Sequence, residues 1–103
     1  MKLYIDTSDR EKIIVGVDGE MFTDKSTERA SQRLLVFIDE VLEKKKKKLN
    51  NITEIEVNTG PGSFTGLRVG VSVANALGWA LKVPVNGKRV DRGESVDIIY
   101  AND

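Results

Sequence analysis

Hydrophobic and polar positions alternate in the first short segment of the chain, and an apolar run and a less regular segment follow it. Residues 2 to 6 read KLYID, residues 12 to 17 read KIIVGV, and a less regular segment covers residues 20 to 24. Alternation with a period of two is typical of a β-strand that buries one face. Asp18-Gly19 joins the last two segments, and both residues tolerate the positive backbone angles of a two-residue hairpin turn. The pattern predicts three strands, the second and third forming a hairpin.

The spacing becomes helical from about Thr27 to Leu49. The apolar residues there recur at intervals of three, four and seven, as in an amphipathic helix; they are Leu34, Leu35, Ile38, Val41, Leu42 and Leu49. A strand at 53 to 58 and a glycine-containing turn at 59 to 63 follow. A second helix is predicted from about Phe64 to Leu81.

The order of these elements predicts an α/β fold. Val83-Pro84-Val85 adds a fifth short strand, so three consecutive strands precede two helical crossovers that return the chain in parallel. We expect a mixed five-stranded sheet with two helices mainly on one face, as in a single ribonuclease-H-like lobe. This lobe covers residues 1–87, and residues 88–103 form a polar tail with an edge strand at 96–100.

Composition limits the chemistry available to the 103 residues. Sixteen basic and sixteen acidic residues cancel, so no field of the whole molecule attracts nucleic acid or an anionic membrane. The sequence has no Cys and no His, which excludes disulfides, thiol nucleophiles and imidazole-based catalysis or metal binding. No segment resembles a signal peptide or a membrane span. We expect a cytoplasmic protein that needs no cofactor and is not an enzyme.

Three segments resemble one protein family in place and order. Residues 60 to 68 read GPGSFTGLR and continue into VGVSVANALGWAL, which resembles the signature of the TsaB (YeaZ) family. LYIDTS near the N-terminus is similar to the first strand of that family, and SQRLLVFIDEVL at 31 to 42 is similar to its first helix. The resemblance extends over roughly residues 1 to 87.

The resemblance implies an actin-like lobe in a non-catalytic partner of the TsaD transferase. In that family the pair, with the ATPase subunit TsaE, installs threonylcarbamoyl on the adenosine beside the anticodon of certain tRNAs. Family members carry two such lobes, and this sequence is similar to the first. Polar residues at Asn86 to Arg89 stand where a third helix would begin, which suggests a protein stably reduced to its N-terminal lobe.

The resemblance also implies that the two helices bind a TsaD-type transferase. Small residues recur every four positions in the second helix, so another backbone can approach one of its faces closely; they are Gly66, Gly70, Ala74 and Gly78. We expect this face to contact the partner, with Leu34, Ile38 and Leu42 lining the facing groove. The alternative is that the small residues pack inside the same chain. Without a partner, the exposed face would form a homodimer.

The glycine turn and the end of the first strand form a second candidate site. A helix N-terminus after flexible backbone offers unpaired N–H groups to a phosphate; the residues are Asp6, Gly60, Gly62, Ser63, Thr65 and Arg68. The alternative reading is structural, with Ser63 or Thr65 capping the helix and Asp6 forming a turn. The corresponding alternative functions are a nucleotide-binding half-site that acts as a homo-oligomer, or a degenerate homodimeric remnant.

Five consecutive lysines end the first predicted helix: Lys44, Lys45, Lys46, Lys47 and Lys48. Clustered positive charge can contact the tRNA backbone, directly but weakly or through a partner. No aromatic residue lies between the lysines, so base stacking has no support. The alternative is a solvated helix end, where cations interact favourably with the helix dipole.

Overall fold

The computed structural model describes residues 1–25 and 29–99. It contains six regular elements, which are β1 (Lys2–Asp6), β2 (Ile13–Val17), β3 (Glu20–Asp24), α1 (Ala30–Lys44), β4 (Glu54–Val57) and α2 (Phe64–Leu81). Short 3-10 turns cover Leu49–Asn51 and Val90–Arg92. The first four predicted strands and the second helix are confirmed.

The described strands form one mixed sheet in the order β3-β2-β1-β4. β1 pairs with β2 in antiparallel orientation and with β4 in parallel orientation, with Leu3 opposite Ile55. Asp18 (φ 49°) and Gly19 (φ 88°) both have positive φ between β2 and β3, which confirms the hairpin.

The prediction of a fifth strand is wrong, because the sheet has four strands. Val85 makes only an isolated parallel bridge to Ile55. Asn86 and Gly87 then take φ values of 49° and 78°, and Lys88 returns to pair with Val85. The chain reverses before a second pair with β4 can form.

The first helix is shorter than its pattern predicted. The predicted start near Thr27 lies outside the described residues, and α1 begins at Ala30. At the other end Lys46 adopts a left-handed φ of 56°. Its N–H donates to the Glu43 carbonyl at 3.0 Å, and the Lys47 N–H donates to the Leu42 carbonyl at 2.8 Å. These two bonds form a Schellman motif, so only Lys44 of the five lysines lies within the helix.

The hydrophobic core lies between one face of the sheet and the two helices, as predicted. The sheet contributes Leu3, Ile5, Val15, Val17, Ile55 and Val57, and all six are buried. The opposite face carries the alternating polar residues of β4. Glu54 and Glu56 are exposed there, and Lys2 Nζ pairs with Glu56 Oε1 at 2.6 Å.

The small-residue face of α2 packs inside the same chain. A Cβ atom at Gly66 would overlap the Thr7 carbonyl oxygen, one at Gly70 would overlap Thr7 Oγ1, and one at Gly78 would overlap the Val85 side chain. Thr7 is itself buried. The expectation that this face is open to a partner is therefore wrong, and the alternative of packing within the chain is correct.

The tail lies along α2 and forms no strand over residues 96–99, so the predicted edge strand is wrong in its described part; residue 100 lies outside the described residues. Asn75 Nδ2 donates to the Val96 carbonyl at 2.9 Å, and Val96 is buried in the core. The Ile99 N–H donates to the Thr59 carbonyl at 2.8 Å. One buried side chain and isolated hydrogen bonds hold the tail in place of a β-ladder.

The close approach of α2 to Thr7 can be tested with Gly66→Ala. The new methyl group must displace the Thr7 backbone, and we expect a loss of about 1–3 kcal/mol in the free energy of unfolding, as for other overpacked positions. Ser72→Ala changes an exposed position of the same helix and should stay within about 0.5 kcal/mol of wild type. Urea denaturation measures the free energy of unfolding of both variants. Equal midpoints for Gly66→Ala and wild type would contradict the close contact.

Candidate functional site

Asp6 lies at the centre of a hydrogen-bonded cluster where β1 and β4 end. Its Oδ1 atom accepts from the Ser8 N–H at 2.9 Å, from Ser8 Oγ at 2.6 Å and from Asn58 Nδ2 at 3.1 Å. Its Oδ2 atom accepts from the Tyr4 hydroxyl at 3.4 Å. Because β1 and β4 are parallel neighbours, the residues that follow them meet at one end of the sheet.

The electrostatics of the cluster favour an ionised Asp6. Burial by itself raises the pKa of this carboxyl, but the hydrogen bonds from Ser8, Asn58 and Tyr4 stabilise the charged form and hold the pKa below its usual value. The Tyr4 hydroxyl shows the opposite effect, because burial and the nearby Asp6 charge raise its pKa. Asp6 is therefore an ionised carboxylate that accepts hydrogen bonds from Tyr4, Ser8 and Asn58 of the same chain.

The glycine turn is tied to the same end of the sheet. Asn58 Oδ1 accepts from the Gly60 N–H at 3.0 Å, and the Ser63 N–H donates to the Ser8 carbonyl at 2.7 Å. Ser63 is the N-cap of α2, and its Oγ atom accepts a hydrogen bond from the Gly66 N–H at 3.5 Å. This confirms the structural reading of Ser63 as a capping residue.

The structure brings together only part of the predicted phosphate site. Asp6, Gly60, Gly62 and Ser63 meet around Ser8 and Asn58, whereas Thr65 and Arg68 are exposed on the first turns of α2. The Arg68 guanidinium lies 5.5 Å from the centre of the Phe64 ring. Phosphate binding by these six residues stays a prediction.

The bonding roles of Ser8, Asn58 and Tyr4 were missed by sequence reasoning. The signal was present for Ser8 and Asn58, since each follows a strand and the two strands were predicted to share a sheet. Among residues 1–25 and 29–99, no three His, Cys, Asp or Glu side chains are grouped so that they could hold a metal ion. The local chemistry is that of a structural carboxylate.

The predicted partner residues of α1 face the interior. Leu34, Ile38 and Leu42 are buried in the core, as are Gly70, Ala74 and Gly78 of α2, so they cannot line an exposed groove. This corrects the choice of residues and leaves the prediction of a helical binding surface in place. The exposed apolar side chains of α1 are instead Leu35, with 59% of its surface exposed, and Val36, with 50%.

α2 contributes apolar residues beside α1. Val69, Val73 and Leu77 recur every four residues and are partly buried against the core. Trp79, the only tryptophan of the chain, is 65% exposed on the same helix. We name Leu35, Val36, Val69 and Val73 the outer helical surface. No described helix is both long enough and apolar enough to span a membrane.

The five lysines lie at the end of the fold where both helices finish. The Lys44 ammonium is 5.6 Å from the centre of the Phe22 ring, and Lys45 Nζ pairs with Glu20 Oε1 at 2.5 Å. Lys46, Lys47 and Lys48 follow the helix in a loop, which corrects their predicted place in its last turns. Their contact with tRNA stays a prediction.

Comparisons with known proteins agree with the motif at residues 60–68. A family model described as TsaD, tRNA N6-adenosine threonylcarbamoyltransferase, matches residues 23–87, which is more than half of the chain. The tRNA threonylcarbamoyladenosine biosynthesis protein TsaB of Haemophilus influenzae is 40% identical over 55 residues, or 53% of this chain. The chain is a TsaB (YeaZ) member of this family. The TsaB protein of Bacillus subtilis is 44% identical over 36 residues, or 35% of the chain.

A solved structure shows the same fold. The crystal structure of an uncharacterized Pseudomonas aeruginosa protein with similarity to the peptidase YeaZ superposes with a TM-score of 0.70 and 29% identity. It covers 82% of this chain, and the match covers 40% of that protein. The matches also cover only 23% of the Haemophilus protein and 16% of the Bacillus protein. This TsaB-type chain therefore corresponds to less than half of each of these relatives.

The role of Asp6 predicts a specific pH dependence. Asp6→Asn removes charge-assisted hydrogen bonds, and we expect it to lower the free energy of unfolding at neutral pH by about 1–3 kcal/mol. A lowered pKa in the folded state gives stability that is present above the usual value of 3.8 and is lost as the pH falls through the folded pKa. The difference between wild type and Asp6→Asn should therefore narrow below pH 3.8.

Urea denaturation at several pH values measures this difference. Asp39→Asn is the control, because Asp39 is exposed on α1; its difference from wild type should be small at neutral pH. A constant gap between wild type and Asp6→Asn from neutral to acid pH would show that the ionised carboxylate is not the stabilising species.

Proposed function

We propose that the chain is a non-catalytic cytoplasmic scaffold in tRNA threonylcarbamoyladenosine biosynthesis. It binds a TsaD-type transferase through the outer helical surface of α1 and α2. The names of the TsaB relatives supply the pathway, and the family match over residues 23–87 includes both helices. The transferase performs the chemistry, and this chain positions or stabilises it.

One observation carries the proposal most directly. Leu35 and Val36 are adjacent and each at least half exposed, on a helix whose other side is buried in the core. Adjacent exposed apolar residues on a helix that is otherwise packed on the core support a protein-protein contact at that position. The absence of His and Cys from the sequence and the internal hydrogen bonding of Asp6 support a role without catalysis.

We expect the same surface to form a homodimer in the absence of the transferase. A second copy can cover the apolar side chains of α1 and α2 by a symmetric contact between helices. One surface cannot bind two proteins at once, so the homodimer and the complex with the transferase exclude each other. Transferase binding should convert the dimer into a one-to-one complex.

Leu35→Glu tests this surface. A carboxylate there would lose its water in the contact without a partner charge, so we expect at least about tenfold weaker binding to the TsaD-type transferase of the same organism. We expect the homodimer to weaken as well. Light scattering measures the mass of the chain alone, of the transferase and of their mixture.

Ile99→Glu is the matched control, because Ile99 is equally exposed but lies on the tail. It should bind like wild type, and both variants should keep the unfolding midpoint of the parent. Full binding by Leu35→Glu would exclude the outer helical surface. A wild-type dimer whose mass does not change when the transferase is added would exclude the scaffold function and leave only self-association.

A further inference from the structure

The backbone of residues 84–86 pairs with Ile55 on the outer edge of β4, and the side chain of Asn86 pairs with Val57. The Ile55 N–H donates to the Pro84 carbonyl at 2.9 Å, and the Asn86 N–H donates to the Ile55 carbonyl at 2.8 Å. Two residues further along β4, the Val57 N–H donates to Asn86 Oδ1 at 2.8 Å, and Asn86 Nδ2 donates to the Val57 carbonyl at 3.1 Å. The side-chain amide of Asn86 makes the two bonds to Val57 that the backbone of a further strand residue would make.

This arrangement follows from the turn at Asn86-Gly87. Both residues have positive φ, which is typical of a type I′ turn. Val85 and Lys88 exchange two backbone hydrogen bonds of 2.8 and 2.9 Å across it. The backbone therefore leaves β4 after Asn86, and only the Asn86 side chain remains to satisfy Val57. We call these paired contacts between Asn86 and Val57 the edge latch.

The latch residue belongs to the dipeptide most prone to a known spontaneous reaction. In an Asn-Gly sequence the backbone nitrogen of the glycine can attack the asparagine Cγ, because glycine has no side chain to hinder it. A new N–C bond forms, the Cγ–Nδ2 bond breaks, and the proton of the attacking nitrogen leaves with the amide as ammonia. Water then opens the cyclic imide to aspartate or isoaspartate.

We propose that Asn86-Gly87 is a deamidation site and that its reaction opens the edge of β4. An aspartate at position 86 is ionised at neutral pH and can only accept hydrogen bonds. It cannot donate to the Val57 carbonyl, and one of its oxygens would face that carbonyl with like partial charge. An isoaspartate adds a backbone carbon and cannot keep the turn. The aspartate leaves the Val57 carbonyl unpaired, and its repulsion from that carbonyl also weakens the bond from the Val57 N–H. The isoaspartate leaves both groups unpaired, and an unpaired edge can accept another strand.

The hydrogen bonds of the edge latch also control the rate at which Asn86 deamidates. The amide that must leave is the group held between the N–H and the carbonyl of Val57, so the side chain must release Val57 before it reaches the glycine nitrogen. The native chain should deamidate at Asn86 more slowly than a peptide of the same local sequence, at the peptide's rate multiplied by the fraction of time that the latch is open. The site is independent of the proposed function.

The first test compares native protein with a peptide of residues 82–90 at mildly alkaline pH. Mass spectrometry after proteolysis measures each asparagine, with Asn50 and Asn51 as internal references because glycine follows neither. We expect Asn86 to react first in the native chain, at least about tenfold more slowly than in the peptide. Equal rates in protein and peptide, or earlier reaction at Asn50 or Asn51, would overturn the proposal.

The second test measures the edge itself by amide hydrogen exchange. We expect Asn86→Ala and Asn86→Asp to speed exchange of the Val57 amide by at least about tenfold, while the amides of Leu3 and Ile5 keep their protection and report an intact sheet. Asn50→Asp places the same charge change on an exposed residue and should leave Val57 as in wild type. A Val57 amide that stays protected in Asn86→Asp would show that deamidation does not open the latch.

Discussion

The contact between the first turns of α2 and Thr7 is the constraint on which this lobe depends. Gly66 and Gly70 let the helix lie directly on the backbone and hydroxyl of a buried residue at the end of β1. The Thr7 hydroxyl also donates to the Gly66 carbonyl. A side chain at either glycine would push α2 away from the sheet, because a Cβ there overlaps atoms that are already in place.

The position of α2 decides the rest of that end of the molecule. Ser63 can cap the helix while its N–H reaches Ser8, which in turn donates to Asp6. Asp6 is thus a carboxylate that joins β1, β4 and the glycine turn, and its lowered pKa reflects that bonding. The glycine turn that sequence analysis offered as a phosphate site serves here, in its observed contacts, to join a helix to a sheet.

The same packing leaves the outer side of the helix pair as the surface that a partner can use. Because the small residues of α2 are used against β1 and Val85, the side chains available for binding are those on the other sides of the helices, such as Leu35 and Val36. The family resemblance pointed to the two helices, but it could not tell which of their sides is buried. That distinction required the contacts of Gly70 and Gly78.

Local patterns in the sequence determined the four strands of the sheet, the second helix, the hairpin at Asp18-Gly19 and the burial of one sheet face. Each of these depends on residues within a few positions of one another, so periodicity and turn chemistry are sufficient to predict them. The resemblance carried by residues 60–68 likewise indicated the family, because that motif is contiguous in the chain.

Only the tertiary structure decided which atoms meet between distant segments. The hydrogen bonds of Asp6 to Asn58 and of Asn86 to Val57 join residues 52 and 29 positions apart. The structure also decided that α1 ends at Lys44, within a run of five identical residues. The missing fifth strand has the same cause. Val83-Pro84-Val85 has a strand-like composition, but the Asn86-Gly87 turn reverses the chain after one bridge to Ile55. The Asn86 side chain then bonds to Val57, a non-local contact that the strand-like composition does not record.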